Sequence, residues 1–288
     1  MAPLLLVALA EAVSQYRPAG IFISLLICGL GFVLLGWYDD RHHVRPGTRL
    51  VISSGLFGAL ILLYPELLLT EVDLGPQFTA VPLWIFALPF TIVCLVGLQN
   101  AINMVDGTNG LLIGLAVFWT GCMMIYAPAH LVMYLQFLML GLIIVLPFNL
   151  TGTLFLGDAG SYSIGATIGV LMIYSWHEAH GALPMLTVVL WLLVPVIDCL
   201  RVMGTRLWYE RSPLLADRNH LHHRLARHWR WPTCLVVYLT LVALPGSAAA
   251  AKPLDLTLPM IVLALVAYSS LLWLTRARSI STPHAVPS

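Results

Sequence analysis

The chain has 288 residues, 60% of them hydrophobic and 9% charged, with 14 basic and 13 acidic side chains and a net charge of +1. A soluble domain carries about 25% charged residues, so this chain has too few charges to cover a water-facing surface. The near-neutral balance excludes a basic nucleic-acid binder, and the apolarity excludes disorder. Cys28, Cys94, Cys122, Cys199 and Cys234 are scattered through apolar stretches, which excludes a disulfide scaffold and gives no ligand-like pair. The expected fold is all-α: a polytopic membrane helical bundle of about ten spans, forming one domain over the whole chain.

A membrane helix needs about 20 mostly apolar residues. The first candidate, 2–16, is the weakest, because it is short and carries Glu11. Stronger candidates follow at 19–38, 50–69, 80–98, 110–128, 131–148, 162–176, 182–200, 232–250 and 256–275. Runs such as ISLLICGLGFVLLG do not alternate in polarity, so they fit helices and not barrel strands. No basic residue precedes the first apolar run, as one would in a signal peptide. The stretch 198–209 mixes Arg201 and Arg206 with Leu200, Met203, Leu207 and Trp208, which predicts a segment lying along the membrane face.

The connecting segments differ in charge. Segments 39–49, 99–109, 149–160, 201–231 and the C-terminal tail hold 12 of the 14 basic residues; the other set holds Arg17 and Lys252. The positive-inside rule places the first set in the cytoplasm. With ten spans both termini are cytoplasmic. Every dense polar motif lies on the arginine-rich side, which predicts a cytoplasm-facing cleft for an anionic or lipid-embedded substrate.

Four motifs make up that side. Asp39 and Asp40 close an apolar run, where two adjacent carboxylates need a cation nearby. The plain alternative is a hydrated helix end with Arg41 as counter-charge. Asn100, Asn103 and Asp106 fall at three-residue steps, one face of a continuous helix, ahead of Asn109 between two glycines. Amides beside a carboxylate suit a nucleotide, a sugar or a metal's outer shell; a polar helix contact is the alternative. Asp158, between Gly157 and Gly160, is placed to cap the next helix or to hold Mg²⁺ against a phosphate. His220, His222 and His223 follow Arg218 and precede Arg224, a donor array suited to a diphosphate. Zinc is the weaker reading there, since no Cys or acidic partner has site-like spacing; a basic surface for anionic lipid is the other alternative.

Taken together, DD at 39–40, NAINMVDGTNGL at 100–111, FLGDAGS at 155–161 and SPLLADRNHLHHRL at 212–225 resemble the polyprenyl-phosphate N-acetylhexosamine-1-phosphate transferases in order, spacing and predicted side. The resemblance runs from about residue 2 to 275. It is strongest to the bacterial branch that starts O-antigen, enterobacterial-common-antigen or teichoic-acid type glycans. It implies transfer of a sugar-1-phosphate from a UDP-N-acetylhexosamine to undecaprenyl phosphate at the bacterial inner membrane, with release of UMP. It also implies a requirement for Mg²⁺, with Mn²⁺ as a substitute. A homodimer fits these expectations; a nucleic-acid partner does not.

Carried over residue by residue, Asp39 and Asp40 match the pair tied to the lipid phosphate or the metal. Asp106, with Asn100 and Asn103, matches the nucleotide segment, and Asp158 matches the Mg²⁺ ligand, with Asp106 nearby. His220, His222 and His223 match the diphosphate-holding loop, with Arg218 at the adjacent basic position. Asn109 stands where many relatives have Asp. The family pattern has a further helix and a Gly-rich loop ahead of 2–16, so a shortened frame is expected to leave those out. A direct displacement and a covalent aspartyl-phosphate route both fit the residues. A transporter of an anionic lipid or nucleotide sugar and an inactive scaffold are the readings from other classes.

Overall fold

A computed structural model describes residues 17–75, 78–179, 181–209 and 219–276, and the side chains from residue 20 onward. The expected span 2–16 and the Glu210–Arg218 stretch lie outside the described residues. The helices are α1 (Arg17–His42), α2 (Pro46–Leu63), α3 (Ala87–Val105), α4 (Leu111–Tyr126), α5 (Ala129–Leu150), α6 (Gly157–Glu178), α7 (Met185–Trp208), the short α8 (Leu221–Ala226), α9 (Trp231–Ala251) and α10 (Pro253–Leu274). Between α2 and α3 a two-residue hairpin pairs β1 (Glu71–Val72) with β2 (Val81–Pro82), antiparallel, Val72 opposite Val81.

Among the described residues, seven helices are long and apolar enough to cross a membrane: α1, α2, α3 (with the preceding 3-10 turn), α5, α7, α9 and α10. Nine of the ten spans expected from the sequence fall in the described residues, and two of those nine fall short. The two long helices that fall short, α4 and α6, are inner ones. α4 is apolar but has only 16 residues. α6 is surrounded by α1, α3 and α4, so protein rather than lipid meets its surface, and Ser161, Tyr162 and Ser175 are buried on it. A helix walled by protein need not be apolar all round, and its glycines let neighbouring backbones approach.

Several boundaries differ from expectation because helix geometry continues past the hydropathy signal. α1 runs on through Asp39 and Asp40 to His42, and α3 runs through Gln99–Val105, carrying Asn100 and Asn103 within it. The stretch 198–208 is not a surface segment but the last turns of α7, with Asp198, Cys199, Val202 and Arg206 buried. Asp198 and Cys199 are held by partners from other helices, which hydropathy cannot register.

The core is knit by large side chains. Trp119 on α4 donates its indole N–H to Trp191 O (2.8 Å), and Trp191 on α7 donates to Gly246 O on α9 (3.2 Å). Phe32 and Phe57 pack α1 on α2 with ring centroids 4.7 Å apart. The closest approach is between α1 and the start of α6. A Cβ on Gly36 would sit 2.3 Å from the Asp158 carbonyl oxygen and 2.4 Å from Ala159 N. Both are backbone atoms and cannot swing aside.

Gly36→Ala is therefore expected to push α6 off α1 and to cost about 1–3 kcal/mol or more, read as a lower thermal midpoint and a broadened size-exclusion profile in detergent. Gly55→Ala, with nothing within 4 Å of its new methyl group, should leave both unchanged.

Candidate active site

The site begins at the end of α1. Asp39 is buried and faces inward, accepting hydrogen bonds from Arg49 Nη1 (3.0 Å), Tyr162 Oη (2.7 Å) and the Val44 N–H (2.8 Å). Its counter-charge is Arg49 on α2, not the adjacent Arg41, whose guanidinium lies 4.0 Å over the Trp37 ring. Asp40 points the other way. Its carboxylate accepts from the backbone N–H groups of Asp158 (2.8 Å) and Ala159 (3.2 Å). These are orphan donors at a helix N-terminus, where negative charge is favoured. Gly157 makes room for this contact: its φ is +61°, and a Cβ there would fall 2.7 Å from Asp40 Oδ2. The N-terminus of α6 is thus capped by Asp40 from another helix, not by Asp158 as one reading of the sequence had it.

Asp158 is left free of capping and sits in the first turn of α6. Its Oδ1 accepts from Asn103 Nδ2 at 2.8 Å, and the same amide nitrogen lies 2.8 Å from Ser161 Oγ. Asn103 therefore joins α3 to α6. Asn100 does not share this contact, because its amide donates back to Val96 O in its own helix (2.8 Å). Asp106 lies one residue beyond the end of α3, so the three residues are not on one continuous helical face. Burial, and then the negative charge of Asp158, push the Asp106 carboxyl up to about 7. Two carboxylates that raise each other's cost of ionisation make a place for a cation.

The histidine segment docks on the turn after Asp106. A Cβ on Gly107 would lie 2.5 Å from His222 Nε2 and 3.1 Å from His223 Cε1. The His220 and His222 rings are nearly parallel (8°) with centroids 5.8 Å apart, and His222 and His223 centroids are 4.1 Å apart. His222 is buried, and neither of its ring nitrogens has a hydrogen-bond partner among the described residues. Burial, then His223 and His220, push its pKa down to about 3, so the ring is neutral. His220 is also buried, with Nδ1 3.0 Å from Asp198 Oδ2. Arg218 lies outside the described residues.

Asn109 binds through its backbone, its carbonyl accepting from the Trp231 indole N–H (3.1 Å). Next to it the Gly110 N–H donates to Asn149 Oδ1 (2.6 Å), and Asn149 Nδ2 donates to Leu154 O (2.9 Å). The buried Asn149 thereby ties the turn after Asp106 to the loop before α6. Sequence reasoning missed Asn149, Tyr162, Arg49 and Asp198. For Asp198 a signal existed: an acidic residue inside an apolar run is costly unless held. For Asn149 and Tyr162 none did, since amide and hydroxyl groups are common in membrane helices, and nothing in the sequence position of Arg49 singles out Asp39 as its partner.

The sequence pattern of glycosyl transferase family 4 matches residues 22–176, more than half of the 288. The chain belongs to that family. It is 31% identical over 242 residues to the undecaprenyl-phosphate alpha-N-acetylglucosaminyl 1-phosphate transferase of Yersinia pestis, covering 77% of this chain and 63% of the relative. It is 29% identical over 241 residues to the Escherichia coli enzyme of the same name, 76% of this chain and 62% of the relative. The decaprenyl-phosphate N-acetylglucosaminephosphotransferase of Mycolicibacterium smegmatis is 29% identical over 245 residues, 75% and 60%. The chain thus spans about three fifths of the length of these relatives. Asp39, Asp40, Asp106 and Asp158 all fall within the matched family region, and the histidine segment follows it.

The raised pKa of Asp106 has a consequence for stability. Folding favours its protonated form over the ordinary carboxyl value of 3.8. That contribution is complete below 3.8 and is lost as pH rises through about 7. Asp106→Asn should therefore raise the thermal midpoint at pH 8, by about 2 °C or more, and raise it by clearly less near pH 5, where only the first part of the contribution has been lost. Detergent-solubilised protein scanned at both pH values, without divalent cations, provides the check.

Proposed function

We propose that this protein transfers an N-acetylhexosamine-1-phosphate from a UDP-sugar to a polyprenyl phosphate, undecaprenyl phosphate in a bacterial host, releasing UMP. The observation that carries the reading is convergence. Side chains from segments far apart in the chain meet at one end of the bundle: Asp40 on the backbone of Asp158, Asn103 on the Asp158 carboxylate, and His222 and His223 on Gly107. Family membership and the activities for which the three relatives are named support the same reaction. The 12-to-2 division of basic residues supports a cytoplasmic face for this end and a multi-pass place in the bacterial inner membrane.

An apolar cleft of about 470 Å³ supports a lipid acceptor. It runs between α3, α6 and α7, lined by Phe90, Leu98, Met172, Trp176, Leu192 and Leu200. Leu98 and Leu200 lie within two residues of Asn100 and Asp198, so an isoprenoid tail in the cleft would have its head near the polar end. The exposed ring of Phe155, two residues before Gly157, offers a stacking face for a uracil base.

A divalent cation fits the residues present. Among the described residues no three His, Cys, Asp or Glu converge on one point, as a fully protein-made site would require. Mg²⁺ instead takes one or two carboxylates and completes its shell with phosphate oxygens and water. Asp158 and Asp106, mutually repelling, are the residues that would hold it. When bound, the cation would neutralise the diphosphate that the two carboxylates otherwise repel.

The rest of the chemistry is positioning, as phosphoryl transfer requires. An oxygen of the polyprenyl phosphate attacks the sugar-bearing phosphorus, the bond to UMP breaks, and UMP leaves with the electron pair. Asn103, itself held by Ser161, fixes the Asp158 carboxylate. Asp39 and Asp40 hold α2 and α6 in register beside it. His223, partly exposed at the mouth, with Arg218 from the same segment, donates to the charge that builds on UMP. No Ser or Cys nucleophile is needed.

Asp158→Asn keeps shape and removes charge, and the α6 cap survives because Asp40 supplies it. The variant should insert and fold, yet lose about 10²-fold or more in turnover. The assay is label transfer from a panel of UDP-sugars into butanol-extractable lipid, with UMP release followed in parallel. Near-normal rates in a folded Asp158→Asn variant would overturn the role of Asp158; no transfer from any UDP-sugar by the wild-type chain would overturn the reaction.

A further inference from the structure

Asp198 lies in α7, well outside the four motifs, and has the densest set of hydrogen bonds to any carboxylate among the described residues. Its Oδ1 accepts from Arg201 Nη2 (2.9 Å) and Tyr268 Oη (2.8 Å), with Arg201 Nε at 3.3 Å. Its Oδ2 accepts from the Leu221 N–H (2.9 Å) and lies 3.0 Å from His220 Nδ1. Arg201 extends the contact by donating to Asn219 O at 2.6 Å. Arg201 and Asp198 alone would neutralise each other. Three further contacts to residues 219–221 mean that the ion pair is built around the start of α8.

The geometry beyond Asp198 gives this arrangement a purpose. His220 is the residue immediately before α8, and its ring lies parallel to that of His222. His222 packs on His223 and presses on Gly107, next to Asp106. Among the described residues nothing hydrogen-bonds to the His222 ring to fix it. Its place must come from the backbone of α8 and from its neighbours. At the far end of α8, Arg224 Nη2 donates to Leu272 O on α10 (2.7 Å). The segment is thus pinned at both ends, and Asp198 is the only anionic pin at its start among the described residues.

We propose that Asp198 is the positioning residue of the histidine cluster: it orients His220 and the first turn of α8, and through them seats His222 and His223 against the Asp106–Gly107 turn. A carboxylate that accepts from the Nδ1–H of an imidazole fixes both the ring's tautomer and its orientation. Asp198 touches no substrate; it acts through His220. The inference rests on the transferase reading above for its effect on turnover, but its structural claim stands apart from it.

Two measurements separate the two. The first needs no activity. Purified protein in detergent is treated with diethyl pyrocarbonate, and modification at each histidine is followed by peptide mass spectrometry. In the wild type His220 and His222 should be protected and His223 modified faster. In Asp198→Asn, His220 and His222 should rise several-fold towards His223, while His130, held by Tyr174 at 2.7 Å at another point of the bundle, stays as it was. Equal exposure of His130 would mean general loosening and would overturn the proposal, as would unchanged protection of His220 and His222.

The second measurement is a double-mutant cycle on label transfer. Asp198→Asn should lower kcat by about 30-fold with the KM for polyprenyl phosphate within about twofold, and should cost less than twofold more when His220→Asn is already present. Full additivity would show that Asp198 does not act through His220 and would overturn the proposal. If Asp198→Asn does not fold, Asp198→Glu keeps the charge for Arg201 while displacing His220, and the same pattern is expected of it. An inactive wild type with the expected modification pattern would remove the transferase reading and leave the positioning of the cluster standing.

Discussion

The contact on which the site depends is the carboxylate of Asp40 on the first backbone N–H groups of α6. It joins the end of one membrane helix to the start of another more than a hundred residues later. A helix N-terminus presents unpaired donors and a partial positive charge, and the Asp40 carboxylate meets both. The absence of a side chain at Gly36 lets the two backbones meet, and the positive φ of Gly157 turns the chain into α6 at the right place. Because Asp40 takes the capping role, Asp158 is released from it and can face Asn103.

The second constraint is the handling of buried charge. Asp39 pairs with Arg49 at 3.0 Å and Asp198 with Arg201 at 2.9 Å, and each acid gains a tyrosine hydroxyl and a backbone N–H besides. An ion pair of this kind adds little net stability, but removing one partner costs about 3–5 kcal/mol. Such pairs fix position. One braces α1 against α2 and α6; the other braces α7 against α8 and α10. Asp106 and His222 have no ion pair of this kind among the described residues. Burial moves both towards their neutral forms, a poise suited to a site that must accept a charged ligand.

The membrane architecture follows the same division. Helices at the periphery, such as α5 and α10, are apolar over most of their surface. The central α6 is buried by protein and carries polar residues that an outer helix could not. Hydropathy therefore identifies the outer helices well, whereas the spans expected at 110–128 and 162–176 are the inner α4 and α6, which fall short of a spanning helix in length or apolarity. It also ends spans early where a helix passes into the polar end of the bundle, as α1 and α3 both do.

Composition determined that this is a membrane protein, since so few charges cannot cover a water-facing surface, and the long non-alternating apolar runs determined that its spans are helices. The order and spacing of the four motifs determined its family, because those residue types recur in that order for one kind of site. Tertiary structure decided which group does what. Asp39 and Asp40 are adjacent in sequence yet point in opposite directions, a consequence of the helical turn between neighbouring side chains and of where α2 and α6 pack. Asn100 and Asn103 look alike in sequence, but only Asn103 meets Asp158. Asp198 and Asn149 gain their meaning from partners on other helices, and no local pattern encodes a contact made across 20 to 70 residues. Sequence lists the groups that can bear charge or donate a hydrogen bond; packing selects the ones that find each other.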